Sequence, residues 1–400
     1  MVAFPTITIR SGADVHLRNR HHAIYRSAVV GTPTAADGAI VRALAGDGSF
    51  LCYATYNSKA YICGRAVAFK EGEPMSQIKA AMQKAVELRS MFFPASPAGS
   101  AETTNAYRLI NAEGDGIPGL VVDKYDRTLV VQFTTLGMDV LRDWVAKTLM
   151  DICDCDNIYE KSGGASRKKE GLEAKEGWLR GEGPTSIPVV EDGLKFQIEL
   201  AGSQKTGLFL DQRDMRALVR SHARGRTVLD VCAYVGGFST AALAGGALTA
   251  DAVDYDSSAL SLARGNVEMN GIDPGKLSTY DEDAFAFMRR VPPPRPYDFI
   301  VLDPPAFAKR SSDLEQAKKA YVDLNRMAMQ ALPSTGGLLL TCSCSYQVDV
   351  ATFQTIVFHA ARQAKRFVRI LQRHRQAIDH PVNIYHPEVD YLKSLLLWVE

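Results

Sequence analysis

Residues able to do chemistry gather at the ends of five apolar runs in the second half of this 400-residue sequence. The run ending at Thr341 continues Cys342-Ser343-Cys344-Ser345. A thiol at the mouth of a sheet is placed for covalent attack on an electrophilic carbon, and Cys344 is the candidate nucleophile. A buried, inert cysteine is the other reading these residues permit. Cys342 shares a face with Cys344 on an ideal strand, so it is either a second thiol of the site or a packing residue. The run ending at Asp303 continues Pro304-Pro305-Ala306-Phe307. Two prolines cannot extend a strand, which stiffens the chain there. Asp303 can accept hydrogen bonds from the edge of a planar base, and Phe307 can stack on its face.

Three more strand ends carry acids or glycines. Asp230-Val-Cys-Ala-Tyr234-Val-Gly236-Gly237-Phe238 sets a glycine pair between a strand and a helix. Such a pair admits close approach of a ligand to the backbone, or is merely a tight turn. The spacing is not G-x-G-x-x-G, so the nicotinamide-dinucleotide fingerprint is absent. Asp254, about twenty residues on, is placed to take both hydroxyls of a ribose. Asp256 is available to serve the next helix N-terminus instead. Within Asp281-Glu282-Asp283, Asp283 is the choice for the exocyclic amine of an adenine. Acids at three successive strand ends look like an adenosine pocket.

The elements that must position these residues follow from periodicity. From Thr227 onward, apolar runs at 227–231, 250–254, 277–280, 299–303, 337–341, 367–371 and 395–399 alternate with amphipathic stretches. One such stretch has Ser257 as N-cap and Leu260, Ala263 and Val267 facing inward. The pattern predicts an α/β fold with a doubly wound, mainly parallel sheet, whose ligands bind at the carboxyl ends of the strands. Short strands at 7–10, 38–42, 50–55 and 61–69 predict a small β-rich module over residues 1–72. A helix bearing Ile78, Met82, Ala85 and Val86 follows. Strands at 107–111, 120–123 and 129–133 come next, then a helix bearing Leu141, Trp144, Val145 and Leu149. The charged, Gly-rich stretch 161–181 is expected to be a mobile loop. Residues 186–190 and 194–200 read as a hairpin, closing a middle α+β domain over 73–200, and 201–400 form the last domain.

Composition excludes several classes. A net charge of +1 means that any nucleic-acid footprint is local. One local bias exists: Arg10, Arg18, Arg20, Arg26, His16, His21 and His22 face a single acid, Asp14. On charge alone, a solvated charged surface is the favoured reading of that bias. No apolar run reaches the ~20 residues of a membrane span, and residues 1–10 lack the order of a secretory signal. A cytoplasmic location is the default expectation. Seven scattered cysteines form neither a disulfide framework nor a zinc knuckle, so no structural metal is expected.

Taken together, these motifs resemble those of the bacterial large-subunit ribosomal RNA 5-methylcytosine methyltransferases. That family has an N-terminal PUA domain, a middle α+β domain and a Rossmann-like catalytic domain. The resemblance spans nearly the whole chain. It is strongest at Glu113-Gly114-Asp115…Pro118-Gly119-Leu120, at Lys205-Thr206-Gly-Leu-Phe-Leu-Asp211-Gln212-Arg213, and at Tyr234 to Phe238. It continues through Asp303 to Phe307, Ser343-Cys344-Ser345 and the tail Asp379-His380-Pro381…Tyr391-Leu392-Lys393.

The resemblance implies S-adenosylmethionine as cofactor, with Asp230, Tyr234, Gly236, Gly237, Phe238, Asp254, Asp283 and Asp303 lining its site. Residues 206–213 would close over the methionine end, Asp211 and Arg213 making contacts there. It implies Cys344 as nucleophile and Asp303 as the group orienting the base, with Pro304, Pro305, Phe307 and Lys309 against the substrate. The implied partner is 23S ribosomal RNA, with a single-stranded or flipped target base; a homodimer is left open and no membrane is involved. Two departures stand out. Arg20-His21-His22-Ala23 replaces the Gly-His-Pro-Trp run usual in the N-terminal module, and Cys342 stands where an aromatic is common. The competing readings are methylation of another base position such as guanine N7, a non-catalytic RNA-binding assembly factor, and a small-molecule methyltransferase.

Overall fold

A computed structural model describes residues 4–94, 104–201, 207–290, 293–308 and 310–400. Lys205, Thr206 and Lys309 lie outside the described residues. The chain divides into two compact units, one comprising Met1–Val190, Ile198–Leu210 and Ile378–Val389, the other Glu191–Gln197, Asp211–Ala377 and Asp390–Glu400. Among the described residues no helix is long and apolar enough to cross a membrane.

The first unit opens with β1 (Thr6–Ile9), α1 (Val15–Arg18), β2 (Ala23–Tyr25), β3 (Ile40–Ala45), β4 (Phe50–Tyr56) and β5 (Ile62–Ala68). The strands form one sheet in the order β1-β3-β4-β5-β2, with β1 parallel to β3 and the other pairs antiparallel. In β3 burial alternates strictly, Val41, Ala43 and Ala45 pointing inward, as a half-buried strand requires. The short β2 carries His22 at its entry, and this buried ring bonds the carbonyl of Ala66 at 2.7 Å. Its position shows why His22 is not part of a solvated charged face.

Helix α2 (Pro74–Phe92) starts with Pro74 in its first turn and the Glu73 carboxylate accepting from the Ser76 N–H. Ile78, Met82, Ala85 and Arg89 form its buried face. A second sheet, in the order β10-β9-β8-β7-β6, is built from β6 (Ala106–Asn111), β7 (Leu120–Tyr125), β8 (Thr128–Phe133), β9 (Asn157–Ser162) and β10 (Lys175–Arg180). Helices α3 (Leu136–Val140), α4 (Arg142–Ile152) and α5 (Gly164–Lys169) fill its connections. Residues 161–181 are therefore not a loop. Strand β10 pairs antiparallel with β9, Trp178 meets Tyr159 edge to face, and Arg167 is buried with its guanidinium bonded to the Phe133 carbonyl and ion-paired to Asp139. Several of the charges that suggested a loop meet partners from distant sequence: Arg167 and Lys175 pair with Asp139, and Glu170 meets Asn57 and Arg65.

Arg89 organises the tail of this unit. It is 1% exposed, holds Asp115 with two bonds of 2.7 and 2.8 Å, and donates to the Arg108 and Asp379 carbonyls. Residues 378–389 lie against it: Asp379 accepts from the Arg108 N–H, Asn111 donates to the Pro381 carbonyl, and Asn383 donates to the Glu113 carbonyl. A Cβ on Gly114 would stand 2.2 Å from the Pro381 carbonyl oxygen, which is why glycine occupies that place. Strands β11 (Ser186–Glu191) and β12 (Leu194–Glu199) form a two-stranded ribbon where the chain passes onward.

The second unit contains α6 (Arg213–His222), β13 (Thr227–Val231), α7 (Gly237–Ala244), β14 (Thr249–Asp254), α8 (Ser257–Met269) and β15 (Leu277–Asp281). It continues with α9 (Ala284–Met288), β16 (Phe299–Leu302), α10 (Leu314–Ala331), β17 (Gly337–Ser343), α11 (Val350–Ala364), β18 (Val368–His374) and β19 (Lys393–Val399). The seven strands run β15-β14-β13-β16-β17-β19-β18; the first five are parallel, and β19 is antiparallel to both neighbours. This is the expected Rossmann-like sheet. Both faces are covered: Leu229, Ile300, Leu339 and Leu397 enter one core, while Val228, Phe299, Leu338 and Leu396 enter the other. Burial on two faces is the reason these strands read as continuous apolar runs. One expected cap moves by a residue. Asp256, not Ser257, caps α8, because Asp256 is extended and its carboxylate accepts the N–H groups of Ser258 and Ala259.

Candidate active site

Strand order reverses beside β13, whose neighbours are β14 and β16, so a crevice is expected beyond their carboxyl ends. The loop leaving β13 is strained. Cys232, Tyr234 and Gly236 all have positive φ, at 64°, 51° and 68°. For the two non-glycine residues such a conformation costs on the order of 1 kcal/mol or more each, and it persists only where surrounding bonds enforce it. Two carboxylates do so. Asp230, fully buried, accepts from the N–H and hydroxyl of Ser239 in the first turn of α7, at 2.9 and 2.7 Å. Asp254 accepts from the Tyr234 N–H at 2.8 Å and the Asp256 N–H at 3.0 Å. Gly236 has a further constraint, since a Cβ there would lie 2.6 Å from that of Ala263. Gly237 begins α7, whereas Phe238 is buried in the hydrophobic core and can meet a ligand only through its backbone.

Four acids share this crevice electrostatically. Burial pushes Asp303 up to about 7, with the charges of Asp211 and Asp230 adding to the effect. Burial likewise pushes Asp230 up to about 6, against its bonds from Ser239 and helped by Asp254. Gln212, to which the sequence motif assigned no role, donates to Asp303 Oδ1 at 2.9 Å. Its own Oε1 is a buried acceptor without a partner, as is Asp230 Oδ1, among the described residues. Asp211 is held by the Tyr391 hydroxyl at 2.6 Å. Arg213 is buried with Nη1 3.8 Å from Glu191, beside Arg216, which makes two 2.6 Å bonds to the same carboxylate. Asp283 is exposed and caps α9 through the Ala286 N–H, leaving its second oxygen outward.

The two neighbouring strand ends bring the other candidates together. β16 pairs with β17 in the register Leu302↔Thr341, and the Cys344 thiol lies 3.9 Å from the Pro304 carbonyl, a sulfur hydrogen bond. Pro304 is buried and Pro305 exposed. Phe307 is half-buried, packed 4.7 Å from Tyr321 and 6.0 Å from Phe285, so only part of its ring is available for stacking. Strand β17 ends at Ser343, which separates the two thiols. Cys342 lies on the strand, fully buried in the core with Leu338 and Leu340, and burial holds its thiol well above the ordinary range. Cys344 lies beyond the strand and is half-buried. Ser345 then locks the turn, its hydroxyl meeting the Tyr321 hydroxyl at 2.9 Å. Lys393, buried at the start of β19, donates to the Ser345 carbonyl at 2.7 Å.

In the first unit, His21, His386 and Glu388 stand close enough to hold a metal ion, their ligand atoms within 4.8 Å of one another. However, His21 Nδ1 accepts the Ala23 N–H at 3.1 Å, which puts the proton of the neutral ring on Nε2, facing Glu388 at 3.3 Å. His21 is thereby satisfied, whereas His386 stacks on it at 4.2 Å and keeps a buried Nδ1 without a partner among the described residues.

Residues 167–384 match the S-adenosylmethionine-dependent methyltransferase family, and residues 7–69 match a PUA-like domain. The chain belongs to the S-adenosylmethionine-dependent methyltransferases. Relatives of this methyltransferase include a Klebsiella pneumoniae protein named ribosomal RNA large subunit methyltransferase I, 34% identical over 98% of this chain and 97% of its own. A Vibrio cholerae protein of the same name is 36% identical over 98% of each chain. A solved S-adenosylmethionine-dependent methyltransferase from Streptococcus mutans shares the fold, with a TM-score of 0.82, 24% identity, and coverage of 98% of this chain and 100% of that one. S-adenosylmethionine is the cofactor of this family, and the crevice suits it. A sulfonium and an ammonium are cations, and four mutually repelling carboxyls with buried unpartnered acceptors favour a cationic guest.

Proposed function

We propose that this methyltransferase forms 5-methylcytosine in large-subunit ribosomal RNA through a covalent adduct on Cys344. The names of its relatives support the substrate class. The observation that carries the chemistry is the approach of the Cys344 thiol to Pro304, directly after a carboxyl, Asp303, that ionises only near neutrality. Methylation at a ring nitrogen such as guanine N7 would need no thiol.

S-adenosylmethionine, when bound, supplies an electrophilic methyl group. The residues do the rest. Asp254 accepts the ribose hydroxyls, Asp283 accepts the adenine amine through its outward oxygen, and the strained 232–238 loop with Asp211 takes the methionine end. Carbon five of cytosine is a weak nucleophile. The Cys344 thiolate adds to carbon six, and the electron pair moves through the ring toward carbon five and nitrogen three. Asp303 in its protonated form donates to nitrogen three, which neutralises the charge gathering there. After transfer, loss of the carbon-five proton to a base expels the thiolate, and nitrogen three returns its proton to Asp303 as the ring is restored. Residues 1–72 act as the RNA-binding module, and the target base is unstacked or flipped to reach the crevice.

The test is Cys344→Ala. Mass-spectrometric mapping of ribosomal RNA incubated with the variant is expected to find no new methylcytosine while cofactor binding persists. Retained transfer would overturn the adduct.

A further inference from the structure

A buried lysine adjoins the proposed nucleophile and has no task in the chemistry so far. Lys393 is 4% exposed. It opens β19 directly opposite Ser343, the residue before Cys344, in the antiparallel pairing with β17. Its Nζ donates to the Ser345 carbonyl at 2.7 Å and to the Tyr391 carbonyl at 2.6 Å. The side chain thus spans the Cys344 peptide and ends against the residue on its far side. Both partners are neutral carbonyls, and among the described residues no carboxylate forms an ion pair with it. A lysine so placed is expensive, since burial alone disfavours the ammonium.

We propose that Lys393 is a positioning cation for Cys344, its buried ammonium holding the neighbouring sulfur as a thiolate. This rests on the reading of Cys344 as nucleophile. Burial pushes Lys393 down to about 8. Among the charges facing it, the Cys344 thiolate favours the ammonium most, followed by Asp390 and Asp349, while Arg375 opposes it. Charge coupling is reciprocal: whatever the thiolate does for the ammonium, the ammonium does for the thiolate. The Sγ–H proton passes to solvent, Nζ keeps its three protons, and the resulting pair is net neutral. When the adduct collapses, the same pair is restored. An anion at Asp303, in the turn bearing Pro304, works against the thiolate, so a protonated Asp303 and a charged Lys393 act in the same direction.

The test is alkylation of Cys344 by iodoacetamide in the full chain, followed at that peptide by mass spectrometry across the pH range around the ordinary thiol value of about 8.5. In Lys393→Met the midpoint is expected to rise by about one pH unit, and alkylation at neutral pH to slow about tenfold. Lys393→Arg, which keeps the charge, should stay near wild type. An unmoved midpoint in folded Lys393→Met, or an Arg variant that behaves like the Met variant, overturns the proposal. Should the Met variant fail to fold, the reciprocal measurement decides. Titration of Lys393 by NMR of the reductively methylated chain should show the amine losing its proton at lower pH in Cys344→Ser than in wild type, and no difference overturns the coupling. The two proposals fail separately. An active Cys344→Ala with a shifted thiol in Lys393→Met refutes only the adduct. An inactive Cys344→Ala with an unshifted thiol refutes only the lysine.

Discussion

Replacing Asp303 by asparagine should stabilise this protein while disabling it, and the stabilisation should depend on pH. Asp303 ionises near 7 in the folded chain rather than at the usual 3.8. Between those values the folded state holds a proton that the unfolded state has released, so wild-type stability falls as pH rises through that window. Below the window Asp303 is neutral in both states and no penalty exists. Above it the penalty is complete, and at roughly 1.4 kcal/mol per pH unit it reaches about 2–4 kcal/mol. The amide of the Asp303→Asn variant cannot ionise, and its side-chain carbonyl can still accept from Gln212, as the carboxyl does. Urea unfolding of the cofactor-free protein at about pH 5 and about pH 8.5 measures the difference. About pH 5 lies inside the window, where part of the penalty already exists, so the variant should exceed wild type there by less than half of its advantage at the higher pH. Methyl transfer should meanwhile fall about a hundredfold or more, because an amide cannot deliver a proton to nitrogen three. An equal difference at both pH values would refute the reasoning, since it would mean that the charge of Asp303 is not what costs stability.

Two further outcomes follow from the same geometry. Cys342→Ala should keep methyl transfer within about twofold and cost about 1 kcal/mol by leaving a small cavity in the core, read by thermal melting with a parallel activity assay; a collapse of activity in a folded variant would return Cys342 to the site. Asp254→Ala should weaken S-adenosylmethionine binding about ten- to a hundredfold in calorimetry, because it removes the proposed ribose acceptor and leaves the Tyr234 and Asp256 N–H groups without theirs. Unchanged affinity would move the ribose elsewhere.

The sheet of the second unit was legible because burial on both faces leaves an unmistakable apolar run, and strand ends then mark where ligands lie. Asp303, Asp254 and Cys344 became candidates by position for that reason. The roles of Gln212 and Lys393 could not be read that way. Nothing in a single glutamine announces a carboxyl ninety residues away, and a lysine before Leu395-Leu396-Leu397 looks like a solvated strand end. Only the antiparallel insertion of β19 beside β17 turns it inward. The stretch 161–181 failed as a loop because local charge says nothing about distant counter-charges. Phe307 and Phe238 carry the right chemistry for a ligand, yet packing claims most of one and all of the other.

The tail that threads back to Arg89 bears on how the protein is made. Synthesis runs from the amino terminus, yet Arg89, Arg108 and Asn111 find acceptors on Asp379 and Pro381 only when nearly the entire polypeptide has emerged. Until then Arg89 has Asp115 but lacks the carbonyl of Asp379, in a place built to exclude water. A recombinant fragment stopping short of Ile378 would inherit that deficit permanently. Cutting the gene between the two units is therefore not a neutral dissection, and the amino-terminal portion is expected to need residues 378–389 supplied as a peptide to reach its native stability.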